Sequence, residues 1–390
     1  MIKNKPENTY EPDRSHLNTA LREMSEKCIE CKLCVKQCAF LKKYGTPKYI
    51  ADNWQYQINT TGNIPFECSL CSLCTAVCPV DIDPQKMFLE MRRYLTACGE
   101  ADFTKQKLLL KFEKRGTSKR YSFYGFPEGC DTVLFPGCAL IGTRSKRVIQ
   151  LYDHVQKKIP DLGIVLDCCT KPSHDLGRSD YFKAMFSEMH GYLVDHGIKN
   201  ILVACPSCFA VFNKYAKGLA TQSVYDILAQ EAWQPKSDMP QTCVTIQDSC
   251  TARFEKNMQD SVRNLIRAQG VLFEEMKHHG KKTLCCGEGG GAHFVAPDLA
   301  GQWGEIRRTE GHGCRIITYC AGCANFLGKI GPTAHLLDLV FDPAATLSGN
   351  ANVTKSPITY LKRLLLKRRF SKKQKYAITR ERNFTCSDSP

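Results

Sequence analysis

Apolar residues recur with two different periods along this chain. In the first 125 residues the spacing is helical, because "SHLNTALREMSEK" and "PQKMFLEMRRYLTA" place hydrophobic positions three and four apart rather than in alternation. The 29 residues between Cys38 and Cys68, "AFLKKYGTPKYIADNWQYQINTTGNIPFE", read the same way. From residue 130 the texture changes to short β-prone runs that each end on cysteine: "DTVLFPGC", "GIVLDCC", "NILVACPSC", "CVTIQDSC", "KTLCC" and "RIITYCAGC". Helical stretches such as "YFKAMFSEMHGYLVDHG" and "SVRNLIRAQGVLFEEMKHHG" lie between them. Strand then helix, repeated, predicts open parallel α/β sheets. In such sheets ligands collect beyond the carboxyl ends of the strands, which is where these cysteines stand.

Composition changes this picture in one respect. At 390 residues, 43% hydrophobic and 24% charged, the chain resembles an ordinary protein with room for two or three domains, but its 23 cysteines demand disulfides, metal or both. The polar start "MIKNKPENTYEPDRSH" lacks the apolar segment of a secretory signal, and no run approaches the length of a spanning helix. A reducing cytoplasmic compartment is therefore expected, with the inner membrane face as a peripheral alternative, and metal becomes the default partner of the thiols. The net charge of +15 is concentrated at one end: residues 355–390 hold eleven Lys and Arg against two acidic residues, which leaves a surplus of six for the rest. Cluster-bound thiolates carry further negative charge, so nucleic acid is not expected as a partner.

Two blocks, "CIECKLCVKQC" (Cys28, Cys31, Cys34, Cys38) and "CSLCSLCTAVC" (Cys68, Cys71, Cys74, Cys78), share the spacing C-x2-C-x2-C-x3-C. Three close cysteines wrap one face of a cubane, and the fourth reaches across to the other cluster. By that rule Cys28, Cys31, Cys34 and Cys78 hold one [4Fe-4S] cluster, and Cys68, Cys71, Cys74 and Cys38 hold a second. Zinc prefers two ligand pairs separated by a longer loop. Pro79 follows the second block, whereas Ala39 follows the first.

The order C, CC, CxxC then occurs twice, as Cys138, Cys168, Cys169, Cys205, Cys208 and as Cys250, Cys285, Cys286, Cys320, Cys323, with offsets of 112, 117 and 115 residues. Repetition at the period of a domain implies duplication. Five thiols per copy exceed the needs of one zinc or one ordinary cubane. The pattern resembles the cysteine-rich CCG domains of heterodisulfide reductase catalytic subunits, and with the ferredoxin blocks in front the chain resembles their D type. The C-type iron–sulfur subunits of anaerobic glycerol-3-phosphate dehydrogenase and the iron–sulfur subunits of glycolate oxidase are similar. The resemblance implies α+α/β architecture: a polar segment over 1–19, a helical two-cluster ferredoxin domain over 20–125, cysteine-rich domains over 130–238 and 240–345, and a basic tail over 346–390. It further implies one or two additional iron–sulfur clusters of noncubane type. In function it implies an anaerobic, oxygen-sensitive oxidoreductase that relays electrons through two cubanes to clusters reducing a disulfide or a redox partner. The alternative is a non-catalytic electron-transfer protein linking a flavoprotein dehydrogenase to quinone or another carrier within a complex. Either way a flavoprotein or membrane quinone-linked partner is implied.

The copies differ: "LCCGEGGG" keeps the glycine after the pair, whereas "DCCTKPSH" has Thr170 there. The chemistry is therefore expected at Cys250, Cys285, Cys286, Cys320 and Cys323, with Gly287 and Gly289 allowing backbone amides to approach a cluster. Gly287, Gly289 and Ala292 also satisfy a dinucleotide G-x-G-x-x-A pattern, a weaker reading this close to two cysteines. His174, Asp175, Glu288 and His293 are candidates for proton supply, with packing the plainer role for the histidines. Cys98, Cys130, Cys243 and Cys314 read as free buried thiols and Cys386 as exposed. The tail "SPITYLKRLLLKRRFSKKQKY", with Leu361, Leu364, Leu365 and Phe370 among basic residues, is read as an amphipathic helix for a membrane face or acidic partner, or as a solvated tail.

Overall fold

The computed structural model describes residues 13–55, 64–234, 239–373 and 375–386. Most of the expected polar segment and residues 56–63 of the insert lie outside that set. Among the described residues up to Gly116 every regular element is a helix. Ser15–Lys27 and Pro84–Ala97 coincide with the two amphipathic stretches and bury Leu17, Ala20 and Met24 against Met87, Phe88 and Met91. Local chemistry starts these helices: Asp83 accepts a hydrogen bond from the Lys86 amide at 3.3 Å, with Pro84 preset for the first turn. Thr46 caps Pro47–Asp52 through the Tyr49 amide at 3.1 Å in the same manner.

The strands form two sheets. In the first, β1 (Phe123–Phe126), β2 (Thr132–Phe135), β3 (Gly163–Leu166), β4 (Asn200–Val203) and β5 (Ala220–Ser223) assemble in the order β5-β4-β2-β3-β1, followed by β9 (Ile378–Arg380) at the edge. β2, β3, β4 and β5 run parallel, whereas β1 and β9 are antiparallel additions. In the second, β6 (Val244–Gln247), β7 (Arg315–Thr318) and β8 (Thr333–His335) are all parallel. β2, β3, β6 and the inner parts of β4 and β7 are fully buried, as parallel strands covered on both faces must be. One apolar core runs through both sheets, joining Leu134, Ile164 and Leu202 to Ile246, Ile317 and Leu336. Arg144 and Arg147 add a buried clamp across it, at 2.6 and 3.0 Å from the two oxygens of Asp338.

Four expectations are corrected. "KTLCC" is not a strand: Leu284 gives its carbonyl to the Gln247 side chain at 3.1 Å instead of to a neighbouring strand, and the run is entered from the turn Gly280–Lys282. β1 falls inside the expected 20–125 domain but pairs with β3, so the helical part ends before it. The tail is neither frayed nor separate. Its helix Ile358–Lys373 buries Arg363, Leu366 and Phe370, with Phe370 edge-on to Tyr152 at 5.0 Å, and β9 completes the first sheet. Finally, Cys243 and Cys314 are not free thiols but a disulfide with Cα atoms 4.7 Å apart. Each directly precedes its strand, and the register Val244↔Arg315 sets the two side by side at the strand starts, away from the other cysteines.

Candidate functional site

The two ferredoxin blocks wrap in the same way. Glu30 and Lys32 in the first, and Leu70 and Ser72 in the second, take left-handed backbone at φ 52°, 60°, 49° and 57°. Non-glycine residues in that region store strain, which clusters where function over-determines the backbone. Here it turns three successive cysteines toward one side. One cavity is lined by Cys28, Cys31, Cys34 and Cys78, the other by Cys38, Cys68, Cys71 and Cys74, and Cys74 also lines the first. The crossed grouping expected from the spacing is thus the grouping the fold brings together. Burial pushes the Cys34 thiol up to about 11 and Cys68 to about 12, so isolated thiolate charge is disfavoured there. The Leu70 amide donates to Cys68 Sγ at 3.4 Å.

In the first sheet β4, β2 and β3 are neighbours, so their carboxyl ends bring Cys205 and Cys208, Cys138, and Cys168 and Cys169 together. Cys168 and Cys138 lie sulfur to sulfur at 3.6 Å, Cys208 and Cys169 at 3.4 Å. A side chain on Gly137 would meet Cys205 Cβ at 2.8 Å, which is why the residue before Cys138 has none. Asp167 holds the pair from behind, accepting from the Cys168 amide at 2.6 Å and from the Tyr124 hydroxyl at 2.5 Å, with Arg382 at 3.2 Å. Thr170 adopts the left-handed backbone of its glycine counterpart, φ 54° against 105° at Gly287, and its buried hydroxyl has no partner among the described residues.

In the second sheet Cys250 and Cys320 with Cys323 follow the adjacent strands β6 and β7, while Cys285 and Cys286 arrive on the irregular loop. The neighbouring Cys285 and Cys323 thiols bring Cys286 down to about 6, and the Cys250 thiol lowers Cys285 in turn. The Gly287 amide donates to Cys285 Sγ at 3.3 Å. Gly289 does something else: a side chain there would meet the Ser69 carbonyl at 2.8 Å, so it seats the loop on the ferredoxin part. With no strand before it, and with the helix after it short (Ala292–Val295) and broken at Ala296 from Pro297–Glu310, this loop lacks the dinucleotide framework.

The sets also approach one another. Cys71 of the second ferredoxin-type set packs against the cluster of Leu73, Leu284, Cys285 and Trp303, and Arg253 Nε donates to the Cys71 carbonyl at 2.9 Å. Between the two cysteine-rich sets, the Lys171 ammonium holds both Asp175 oxygens at 2.7 Å within electrostatic reach of Cys169 and Cys250. Glu288, raised to about 7 by burial, reaches toward Cys205 of the first set over Gly322, where a side chain would collide with its carboxylate. His174 is committed on both sides, to Asp175 at 2.9 Å and the Tyr215 hydroxyl at 2.8 Å, and burial lowers it. His293 lies 3.1 Å from the Glu288 carbonyl.

Sequence reasoning missed several buried charges, Arg253 among them, and three more stand beside the sulfur sets. Arg92 donates to the carbonyls of Pro65 at 2.9 Å, of Asp175 and Gly290 at 2.7 Å each, and of Cys68, pinning all three parts around the second cubane set. Glu113 accepts from the amide of Ser173 at 3.0 Å and from its hydroxyl. Arg363 is buried beside Cys138 with Nε and Nη1 unpartnered among the described residues. Arg92 sits in the recognisably helical "EMRRYL"; nothing in the sequence marks the other two.

Whether these residues suit iron–sulfur groups is answered by their donor chemistry. Among the described residues, no three His, Cys, Asp or Glu side chains converge on a point suited to one metal ion. The thiols are instead grouped in sets of four and five, with the buried Glu288 carboxylate near Cys205 and Cys286, and a buried guanidinium with unpartnered nitrogens stands beside Cys138. Soft sulfur donors around a shared space, with a cation beside them, fit an anionic polynuclear iron–sulfur group.

Comparison with known proteins agrees. A 4Fe-4S dicluster domain matches residues 27–83, and a cysteine-rich domain matches twice, over 132–213 and 244–328. The chain is 24% identical over 334 residues to the B subunit of fumarate reductase (CoM/CoB) of Methanothermobacter marburgensis, covering 76% of this chain and 66% of that protein. It is 25% identical over 264 residues to the EtfAB:quinone oxidoreductase of Syntrophomonas wolfei, covering 59% and 37%. To the D subunit of the dihydromethanophenazine:CoB–CoM heterodisulfide reductase of Methanosarcina barkeri it is 23% identical over 349 residues, covering 74% and 84%. This chain therefore spans less than two thirds of the length of the first two.

Proposed function

We propose, from the premise that this chain is an iron–sulfur protein of the oxidoreductase-subunit type with a 4Fe-4S dicluster domain and two cysteine-rich domains, that it delivers electrons from the ferredoxin part to a disulfide or redox partner at the second cysteine-rich set. Bound clusters supply one-electron transfer; the protein supplies their order and surroundings. The observation that carries this reading is the packing of Cys71 against the buried cluster of Leu73, Leu284, Cys285 and Trp303. It makes the second cubane set, Cys38, Cys68, Cys71 and Cys74, the neighbour of Cys250, Cys285, Cys286, Cys320 and Cys323. The first cubane set, Cys28, Cys31, Cys34 and Cys78, stands behind it, sharing the wall at Cys74. Trp303, Leu73 and Leu284 exclude water from this junction, which keeps the local dielectric low and the charges strongly coupled. Gly287 directs its amide at Cys285, favouring the more negative state there.

The names of the relatives supply the reaction classes: heterodisulfide reduction, and quinone reduction fed by an electron-transferring flavoprotein. The first suits the opposed cysteine-rich sets, with Lys171 and Glu288 between them. The second makes the chain a relay within a complex. For such a complex the tail helix offers Ile358, Leu361 and Leu365, exposed beside Arg368 and Arg369, to a partner protein or an anionic membrane face. Among the described residues no helix is long and apolar enough to cross a membrane.

Electron paramagnetic resonance of anaerobically isolated protein, oxidised with and without candidate thiols, separates these classes. A thiol-dependent paramagnetic signal, abolished by Cys285→Ser, is expected for disulfide chemistry. Signals from reduced cubanes alone, identical with and without thiol, would assign the chain to the relay.

A further inference from the structure

The C-terminal segment, by composition a solvated basic tail, sends one of its arginines into the first cysteine-rich site. Arg363 lies on the buried face of Ile358–Lys373, 2% exposed. Its arm passes two notches. A side chain on Gly142, in the short helix that begins at Cys138, would meet Arg363 Cδ at 3.6 Å. A side chain on Gly116 would meet Arg363 Nη2 at 3.1 Å and Cys168 Cβ at 3.1 Å. The same small space is thus bounded by the guanidinium on one side and a cysteine of the set on the other. The rings of Phe112 and Tyr121 sit 5.3 and 5.5 Å from the guanidinium carbon and cover its faces. Their attraction is modest and leaves the in-plane N–H groups unanswered.

Those N–H groups raise the question of a counter-charge. Nε and Nη1 are buried and without hydrogen-bond partner among the described residues. A buried cation that is neither paired nor fully hydrogen-bonded costs several kcal/mol, so native folds supply an anion. Glu113, whose charge is also felt at Cys138, is engaged by Ser173, and no ion pair joins Arg363 to a carboxylate among the described residues. What remains is the sulfur set itself, and the Arg363 charge is felt at Cys138.

We propose that Arg363 is the counter-cation of the anionic iron–sulfur group held by Cys138, Cys168, Cys169, Cys205 and Cys208, donating hydrogen bonds toward its sulfurs and holding its reduction potential above that of the second set. This rests on the reading that the first set carries a cluster. Placing a cation and N–H donors beside the sulfurs favours the more negative, reduced state. The two copies are thereby unequal. The second set has amide contact through Gly287; the first has Thr170 in that place and an arginine brought in from 150 residues or more along the chain. Arg382, also from the tail, supports the same pair indirectly through Asp167. The tail is thus a part of the first site.

The test is a paramagnetic-resonance redox titration of the full chain, isolated anaerobically, as parent, Arg363→Met and Arg363→Lys. Cys138→Ser identifies which signal belongs to the first set. In Arg363→Met that signal is expected to titrate lower, with the oxidised-to-reduced ratio at fixed potential changed at least tenfold, about 59 mV for a one-electron couple. Arg363→Lys keeps the charge but loses the fork, and is expected to shift in the same direction by a smaller factor. The other midpoints stay in place. An unchanged first-set midpoint in both variants overturns the proposal; should Arg363→Met fail to fold, an unchanged midpoint in Arg363→Lys overturns it alone. If the parent lacks a signal that Cys138→Ser removes, and that variant loses no iron, the first set carries no cluster and the underlying reading fails instead.

Discussion

Single residues carry most of the electrostatic tension in this molecule, and Glu113 shows how it is measurable. Its carboxyl is 1% exposed, and burial raises it from 4.5 to about 7 although Ser173 hydrogen-bonds its ionised form. A carboxyl whose folded value lies above its unfolded one binds more protons folded than unfolded between those values. Its contribution is therefore fully present below pH 4.5 and is lost as pH rises through about 7. Chemical denaturation of the anaerobic protein is expected to show stability falling by roughly 3 kcal/mol across that interval from this group, and Glu113→Gln is expected to flatten the fall. A slope unchanged by the substitution would contradict it. Thr170 shows a different tension: a β-branched residue occupying glycine's backbone at φ 54°. The sequence reveals that a glycine is missing there, but not that the backbone is at positive φ at both positions, 54° at Thr170 and 105° at Gly287.

Between elements, Arg92 is the joint. Its four carbonyl acceptors belong to the helix Ile64–Glu67 through Pro65, to Cys68, to Asp175 at the end of the helix Lys171–Asp175 and to Gly290 in the turn Gly289–Gly291. Arg92→Met keeps volume but strands those buried carbonyls, each at about 1–3 kcal/mol. A loss of at least about 3 kcal/mol is expected, with faster proteolysis between the helical part and the sheets; a loss under about 1 kcal/mol would mean the parts are held elsewhere. At this scale the sequence was legible where period and burial coincide. Five of the six β-prone runs are strands and both amphipathic stretches are helices, because each buries a face fixed by its own pattern. "KTLCC" failed because an apolar run needs a neighbour to pair with, and Gln247 took its carbonyl. The "SVRNLIRAQGVLFEEM" helix stops at Ala268, ahead of Gly270 at φ 73°. β9 was invisible because it is an edge strand whose partner, β1, is itself an antiparallel addition. The Cys243–Cys314 pair was hidden for a related reason: only the register of β6 on β7 puts those positions side by side. The crossed grouping read from spacing matches the cysteines that line the two cavities, with Cys74 lining both.

For the whole molecule, the ferredoxin part, the two sheets and the tail form a continuous series of sulfur sets. The cavities of the two ferredoxin-type sets share Cys74, Cys71 packs against the cluster that holds Cys285, and the Lys171 charge is felt by both Cys169 and Cys250. Buried charges missed by sequence patterning, Arg92, Arg253 and Arg363, lie at the junctions of that series, because tertiary contact and not local period decides where a charge is buried. The basic surplus of the tail is partly drawn inside by Arg363 and Arg382. Iron and acid-labile sulfide analysis of anaerobically isolated protein tests most directly whether all four sets hold iron–sulfur groups. Four clusters' worth of each is expected, falling by one cluster's worth in each of Cys31→Ser, Cys71→Ser, Cys138→Ser and Cys285→Ser. Iron and sulfide for only two clusters, unchanged in the last two variants, or zinc in their place, would contradict it.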